Sequence, residues 1–345
     1  MQIVLSKAHA VSVMIIKEAK QIIMDDYQLT ATRTVEDFIN TAMSRQYEPI
    51  PTGIAGIDNA IGGGLIRDSL ILLGAAPGAG KTALTQWICE NMAKQGVPCV
   101  YLNLEMSRDQ LMARSISRIA KQNGYTISAI DVLKGYQWTE EQMTAVMQAA
   151  ETYSREIAPM MQYNPDGVSA DLDNILTYIE DVAQKAESAK QPVPVVVIDY
   201  LQIIAGNDRE DDVTVMKRAV SSFKCYAVKH HTIVYLIIAH NRESNKSGNV
   251  TMESGRDTSA LEYSADLQLG LAYTKCLPRN SDRRITKDML TQDERQYVTL
   301  VVTKGRFCAS GAAVDLHFDG ATMSFTQIDD DYAAKRKDLS GYKCV

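Results

Sequence analysis

Three shortages bound what this 345-residue chain can be. Cysteine is sparse and scattered: the six, at 89, 99, 225, 276, 308 and 344, form no C-x-x-C pair. That argues against a zinc site and a disulfide framework, and it fits a reducing, cytoplasmic setting. Long apolar runs are missing, none approaching the roughly 20 residues a membrane span needs. The first 24 residues mix lysine and glutamate into their apolar positions instead of forming a compact signal core. Positive charge is not in excess either. A net charge of −6 excludes a generally basic nucleic-acid coat but leaves room for DNA to be held on a few local loops. What is abundant is apolar: 46% of the residues are hydrophobic, enough to bury a sizeable core.

The most informative stretch is Ala75-Ala76-Pro77-Gly78-Ala79-Gly80-Lys81-Thr82-Ala83, directly behind the apolar run Leu70-Ile71-Leu72-Leu73. A buried strand ending in a small-residue turn that feeds a helix reads as a phosphate-binding loop. Small residues let backbone N–H groups close around phosphate oxygens, Lys81 supplies charge to the β- and γ-phosphates of ATP, and the Thr82 hydroxyl ligates Mg²⁺. Ala75 stands where the generic pattern has its first glycine. Such a loop needs a metal-side carboxylate on a neighbouring strand. Asp199, at the end of Val195-Val196-Val197-Ile198, supplies one that would hold Mg²⁺ through water. The strand Val100–Leu104 delivers Glu105 to the same edge, where a carboxylate can accept the proton of an attacking water.

Around this loop the pattern predicts an α/β fold with a mainly parallel sheet flanked by helices. Strands are expected near 70–73, 98–103, 194–198 and 232–238, with helices at 82–95, 107–122, 169–190 and 212–229. Strands at 266–273, 296–303, 313–318 and 322–327 follow, with a charged hairpin or loop at 275–295. Apolar spacing predicts helices over 1–28 and 33–44, the second capped by Thr34, before Glu48-Pro49-Ile50-Pro51 breaks the pattern. The expected division is 1–48 helices and linker, 49–330 ATPase domain, and 331–345 a polar tail.

Several further strings lie in a telling order: Leu104-Glu105-Met106-Ser107 with Gln110-Leu111 and Arg114, Ile198-Asp199-Tyr200-Leu201-Gln202, Ser259-Ala260-Leu261-Glu262 with Ala265-Asp266, and Val302-Thr303-Lys304-Gly305-Arg306. Together with an alanine-opened phosphate loop carrying Pro77, they resemble the motor domain of DnaB-type replicative helicases over about residues 50–327. The resemblance implies a RecA-like P-loop NTPase, a homo-hexameric ring, ATP hydrolysis at subunit interfaces, and 5′-to-3′ travel on single-stranded DNA with a primase or helicase loader as partner. It also implies that Lys304 and Arg306 reach the neighbouring subunit's γ-phosphate as a trans-acting finger.

Two departures stand out. Where the family usually has Ser-Gln-Leu-Asn-Arg, this chain has Ala239-His240-Asn241-Arg242, one residue shorter. A histidine there resembles the γ-phosphate sensor of some phage primase-helicases and of the mitochondrial helicase. Only about 48 residues precede the motor, so a shortened helicase, or one whose other parts lie on another protein, is expected. For DNA, the candidate is the loop at 242–257, with Arg242, Lys246 and Arg256 and with Gly248 and Gly255 for close backbone approach. Two alternatives stay open: a RecA- or RadA-like recombination ATPase, and a non-translocating nucleotide-switched scaffold or loader.

Overall fold

The computed structural model describes residues 35–44, 47–75, 78–165, 168–206, 210–239, 264–276 and 287–328. The chain divides into two compact units, Met1–Gln46 and Tyr47–Val345. In the first, the described element is helix α1 (Val35–Met43). The helix expected over 1–28, the Thr34 cap and the tail at 331–345 lie outside the described residues.

The second unit is built on one nine-stranded sheet. In chain order its strands are β1 (Ser69–Ala75), β2 (Cys99–Asn103), β3 (Met161–Tyr163), β4 (Val195–Asp199), β5 (Ile233–Ala239), β6 (Leu267–Tyr273), β7 (Tyr297–Gly305), β8 (Ala313–Asp319) and β9 (Ser324–Gln327). Across the sheet the order is β3-β2-β4-β5-β1-β6-β7-β8-β9. The first six run parallel, and β7, β8 and β9 close the sheet antiparallel. The longer helices of this unit are α2 (Lys81–Lys94), α3 (Arg108–Gln122), α4 (Glu140–Glu156), α5 (Leu172–Ser188) and α6 (Asp212–Lys229).

Strand β1 is buried along its whole length, which is why it reads as an unbroken apolar run. Its residues alternate between two cores. Ile71 and Leu73 pack with Leu84 and Ile88 of α2 and Ile119 of α3. Leu70 and Leu72 pack with Ile175 and Ile179 of α5 and Phe223 of α6.

The described periodic segments of this unit fold as the pattern predicts; the short helices Ala55–Ala60 and Ala129–Leu133, helix α4 and strand β3 were not anticipated. Helix α4 opens with a reciprocal capping box between Thr139 and Gln142, a T-x-x-Q signal present in the sequence. It leads to the three-residue edge strand β3, whose Tyr163 turns inward. In the charged stretch at 275–295, the described residues form short 3₁₀ turns at Lys287–Met289 and Glu294–Gln296.

Candidate nucleotide site

Strand β1 ends at Ala75 and helix α2 begins at Lys81, with Gly78 at φ 79° and Gly80 at φ 89° between them. Gly80 is required twice over. Its φ is one that L side chains rarely adopt, and a Cβ there would meet Phe318 and Phe325 at 3.0 Å. Those two rings stack with centroids 4.5 Å apart, so the antiparallel end of the sheet forms the floor of the loop. At Gly78 a Cβ would meet Lys287 Nζ and Tyr273 Oη, each at 3.3 Å. This second cation beside the loop escaped the sequence reading. It sits on a 3₁₀ turn whose Lys287 carbonyl accepts from Arg295 at 3.3 Å.

Asp199 ends β4 at 2% exposure. Tyr101 Oη donates to its Oδ2 at 3.0 Å and Asn103 Nδ2 at 2.8 Å. Burial pushes the Asp199 carboxyl above the ordinary carboxylate value, and the hydrogen bonds from Thr82 and Tyr101 with the nearby Lys81 charge oppose that rise. Sequence reasoning missed Tyr101 and Asn103. Their signal was positional: they lie two apart on β2, on the face where Asn103 is the register partner of Asp199. Lys81 Nζ lies 5.3 Å from the centre of the Tyr200 ring, a contact that steadies its long stem.

Glu105 is exposed just beyond β2. Its N–H and that of Met106 donate to Asn103 Oδ1 at 3.0 and 2.6 Å, so the residue that holds Asp199 also sets the backbone of Glu105. Helix α3 then starts with a capping box between Ser107 and Gln110. Beneath the site, Glu90 of α2 accepts from Ser115 at 2.5 Å and from Tyr163 at 2.8 Å and pairs with the buried Arg118. This locks α2, which carries Lys81 and Thr82, to α3, which follows Glu105.

Lys81, Thr82, Asp199 and Glu105 therefore gather at the carboxyl edge of the parallel strands. Arg306 does not. The β7 register places Gly305 opposite Leu267, itself opposite Ile71, and the Arg306 N–H donates to the carbonyl of Asp266. Arg306 thus lies level with Leu70, about 17 Å along β1 from Ala75 at ~3.3 Å per residue, where its Nη1 is 3.2 Å from Asp266 Oδ1. Lys304 is the register partner of Gln268, itself opposite Leu72 in the middle of β1. Ala76, Pro77, His240, Arg242, Lys246 and Arg256 lie outside the described residues.

The donor set at the loop suits a hard cation. A hydroxyl and one buried carboxylate beside a phosphate cradle match Mg²⁺, which is bound by one or two carboxylates plus substrate phosphates. Among the described residues there is no His/Cys/Asp/Glu cluster of the kind that cages a metal by itself.

A model of the DnaB-like helicase C-terminal domain matches residues 49–327. This chain belongs to that family. Replicative DNA helicase DnaB of Treponema pallidum is 29% identical to it over 181 residues, covering 50% of this chain and 37% of that protein. DNA repair protein RadA of Rickettsia felis is 24% identical over 245 residues, covering 69% and 44%. Among solved structures, a DnaB-like replicative helicase described with its interactions with primase superposes with a TM-score of 0.65 at 18% identity, over 92% of this chain and 71% of that one, a likeness of fold. The DnaB-like domain thus has the RecA-like architecture that the strings of motifs implied, and it spans less than half the length of these two curated relatives.

Proposed function

We propose that residues 49–330 are the ATP-driven motor of a homo-hexameric DNA helicase that travels on single-stranded DNA during replication, with residues 1–48 as helices and linker and 331–345 as a polar tail. The observation that carries this reading is the separation of the two halves of the chemistry: Lys81, Thr82, Glu105 and Asp199 at one edge of the sheet, Arg306 at the other. One chain cannot close a catalytic centre across that distance, whereas a ring of identical chains apposes one edge to the next.

In this mechanism Lys81 and the loop N–H groups of Gly78 to Thr82 bind the β- and γ-phosphates of ATP. Thr82 and Asp199 would hold Mg²⁺, Asp199 through water, and the cation would supply positive charge to the phosphates. Glu105 accepts a proton from the attacking water, and His240 senses the γ-phosphate. Lys304 and Arg306 of the neighbouring subunit stabilise the charge that builds up in the transition state. Arg242, Lys246 and Arg256 contact DNA phosphates without reading sequence. A primase or a helicase loader is the partner class that fits a motor of this kind.

The test is ATP turnover with and without single-stranded DNA, together with sizing of the ATP-bound assembly. Turnover that DNA accelerates in a closed hexamer is expected; an assembly with DNA-independent turnover would leave the nucleotide-switched scaffold. The likeness to RadA favours a second reading, a recombination ATPase, which open helical filaments in negative-stain images would select.

A further inference from the structure

We infer that Asp266 is the positioning residue of Arg306: a buried carboxylate that fixes the direction in which the guanidinium is presented to the next subunit. The inference rests on the trans-acting role proposed for Arg306 and adds the device that makes it effective. Arg306 is 47% exposed at its side chain, and Asp266 only 6%. A surface ion pair between two mobile side chains is worth little. This one is asymmetric, because the acid is clamped. Lys224 Nζ of α6 lies 2.6 Å from Asp266 Oδ2, and the Leu70 N–H at the start of β1 donates to the same oxygen at 2.8 Å. Lys224 is itself held by a 2.9 Å bond to the carbonyl of Asp68. The backbone of Asp266 is pinned as well, donating to Leu70 and accepting from Arg306, both at 2.9 Å. Oδ1 is thereby turned toward Arg306 Nη1 by groups from two elements, α6 and β1, that do not move with the arginine.

The strand leading to Arg306 is shaped to the same end. Between the pairs Leu269↔Val302 and Gln268↔Lys304 the register slips by one residue, and the extra residue, Thr303, returns its hydroxyl to the Gln268 carbonyl at 3.2 Å. A bulge of this kind re-aims the side chains that follow it. A guanidinium carries its five N–H donors in a rigid planar fork, so a contact from Nη1 to the clamped Oδ1 constrains the direction of the whole group. Preorganised charge of this sort acts on the transition state more than on the bound ground state.

The test separates the side that gives the finger from the side that receives it. Full-length Asp266→Asn protein should bind a fluorescent ADP analogue with parental affinity and assemble normally. Its kcat should fall by about 10- to 100-fold, the loss that misplacement of a catalytic group brings. Mixed and reassembled with Lys81→Ala, it should regain hydrolysis, because some interfaces join an intact nucleotide site to an intact Asp266–Arg306 pair. Mixed with Arg306→Ala it should regain none, since every finger is then impaired. Rescue by Arg306→Ala, or no rescue by Lys81→Ala, overturns the positioning role. If Asp266→Asn fails to fold, Asp266→Asn combined with Lys224→Gln removes acid and counter-charge together and carries the same mixing test. Parental turnover in Arg306→Ala alone defeats the finger reading itself; a silent Asp266→Asn beside an inactive Arg306→Ala defeats only the positioning role.

Discussion

Two buried aspartates at opposite ends of the same parallel strands have been given opposite surroundings. Asp199, at the carboxyl edge, is held by the neutral donors Tyr101 and Asn103, and burial pushes its carboxyl up. Asp266, at the amino edge, has one oxygen on Lys224 and the other on Arg306. A carboxylate that is buried with neutral partners keeps an unmet demand for positive charge, which a divalent cation can satisfy. One that is already paired with cations has its charge balanced within the chain and can serve geometry. The first is built to receive an ion and the second to aim one.

The largest expected effect breaks the link between the edges. Replacing Arg306 by alanine should lower turnover by about 10³–10⁵-fold in the DNA-bound assembly while nucleotide affinity changes little, because a finger of this kind acts on the transition state. Replacing Lys81 by alanine should instead abolish turnover through lost phosphate binding. Mixing the two inactive proteins should restore some hydrolysis, which a finger acting within its own chain could not do. Steady-state ATPase assays of each variant and of the mixtures decide the matter; Arg306→Ala within a few-fold of the parent would show the arginine to be a solvated strand end.

The next effect stays at the carboxyl edge. Glu105→Gln should retain ATP analogue binding and lose about 10²–10⁴-fold in hydrolysis, the range for removal of a general base. Its backbone is fixed by Asn103 Oδ1 and its side chain is exposed, so the thermal midpoint should barely change. Normal hydrolysis in this variant would take the water-activating role away from Glu105.

How much of this was legible in the sequence follows from how local each feature is. The phosphate loop and Asp199 each sit at the end of an unbroken apolar run, and Glu105 follows a run that only Asn103 interrupts; a buried parallel strand announces itself that way. The surroundings of Asp199 were not legible, because Tyr101 and Asn103 reach it only through the pairing of β2 with β4, 96 residues away for the Asn103 contact. The same holds for Asp266, Lys224 and Arg306, gathered from the residue before β6, from α6 and from the residue after β7. Lys287 came to the phosphate loop from a segment that read only as a charged hairpin or loop, with nothing in its pattern to say which charge would turn inward. Helix α4 is an omission that local rules could have prevented, through the Thr139 and Gln142 capping box.

A smaller effect, with opposite signs at the two edges, tests the comparison directly. In the absence of Mg²⁺ and nucleotide, Asp199→Asn should raise stability at neutral pH by about 0.5–2 kcal/mol, as removal of a costly functional charge commonly does. The amide oxygen can still accept from Tyr101. Asp266→Asn should lower stability by about 1–3 kcal/mol, since it removes the negative charge that Lys224 and Arg306 share; the full cost of breaking a buried pair is reduced because both cations are partly exposed. Denaturant unfolding of both variants reads the two signs, and equal signs would erase the distinction drawn between the sites.

The smallest effect is the pH dependence of that first difference. Asp199 has a folded-state pKa above its ordinary value of 3.8. Such a group contributes stability that is fully present below the unfolded pKa and is lost as pH rises through the folded one. The advantage of Asp199→Asn over the parent should therefore be greatest at neutral pH. It should shrink as pH falls through the raised pKa toward 3.8, where the folded carboxyl is already protonated and neutral. Total stability will not show this by itself, because depressed carboxylates run the other way. Glu180, hydrogen-bonded by Lys229 and held at about 2, loses its contribution as pH falls below the ordinary 4.5. Taking parent minus variant at each pH cancels Glu180 and leaves Asp199. Added Mg²⁺ and nucleotide should reverse the sign of the difference at neutral pH, since the ionised carboxylate is the form a cation selects. A parent-minus-variant difference that stays flat from neutral pH to 4, with or without the cation, would mean that Asp199 carries no buried charge for Mg²⁺ to satisfy.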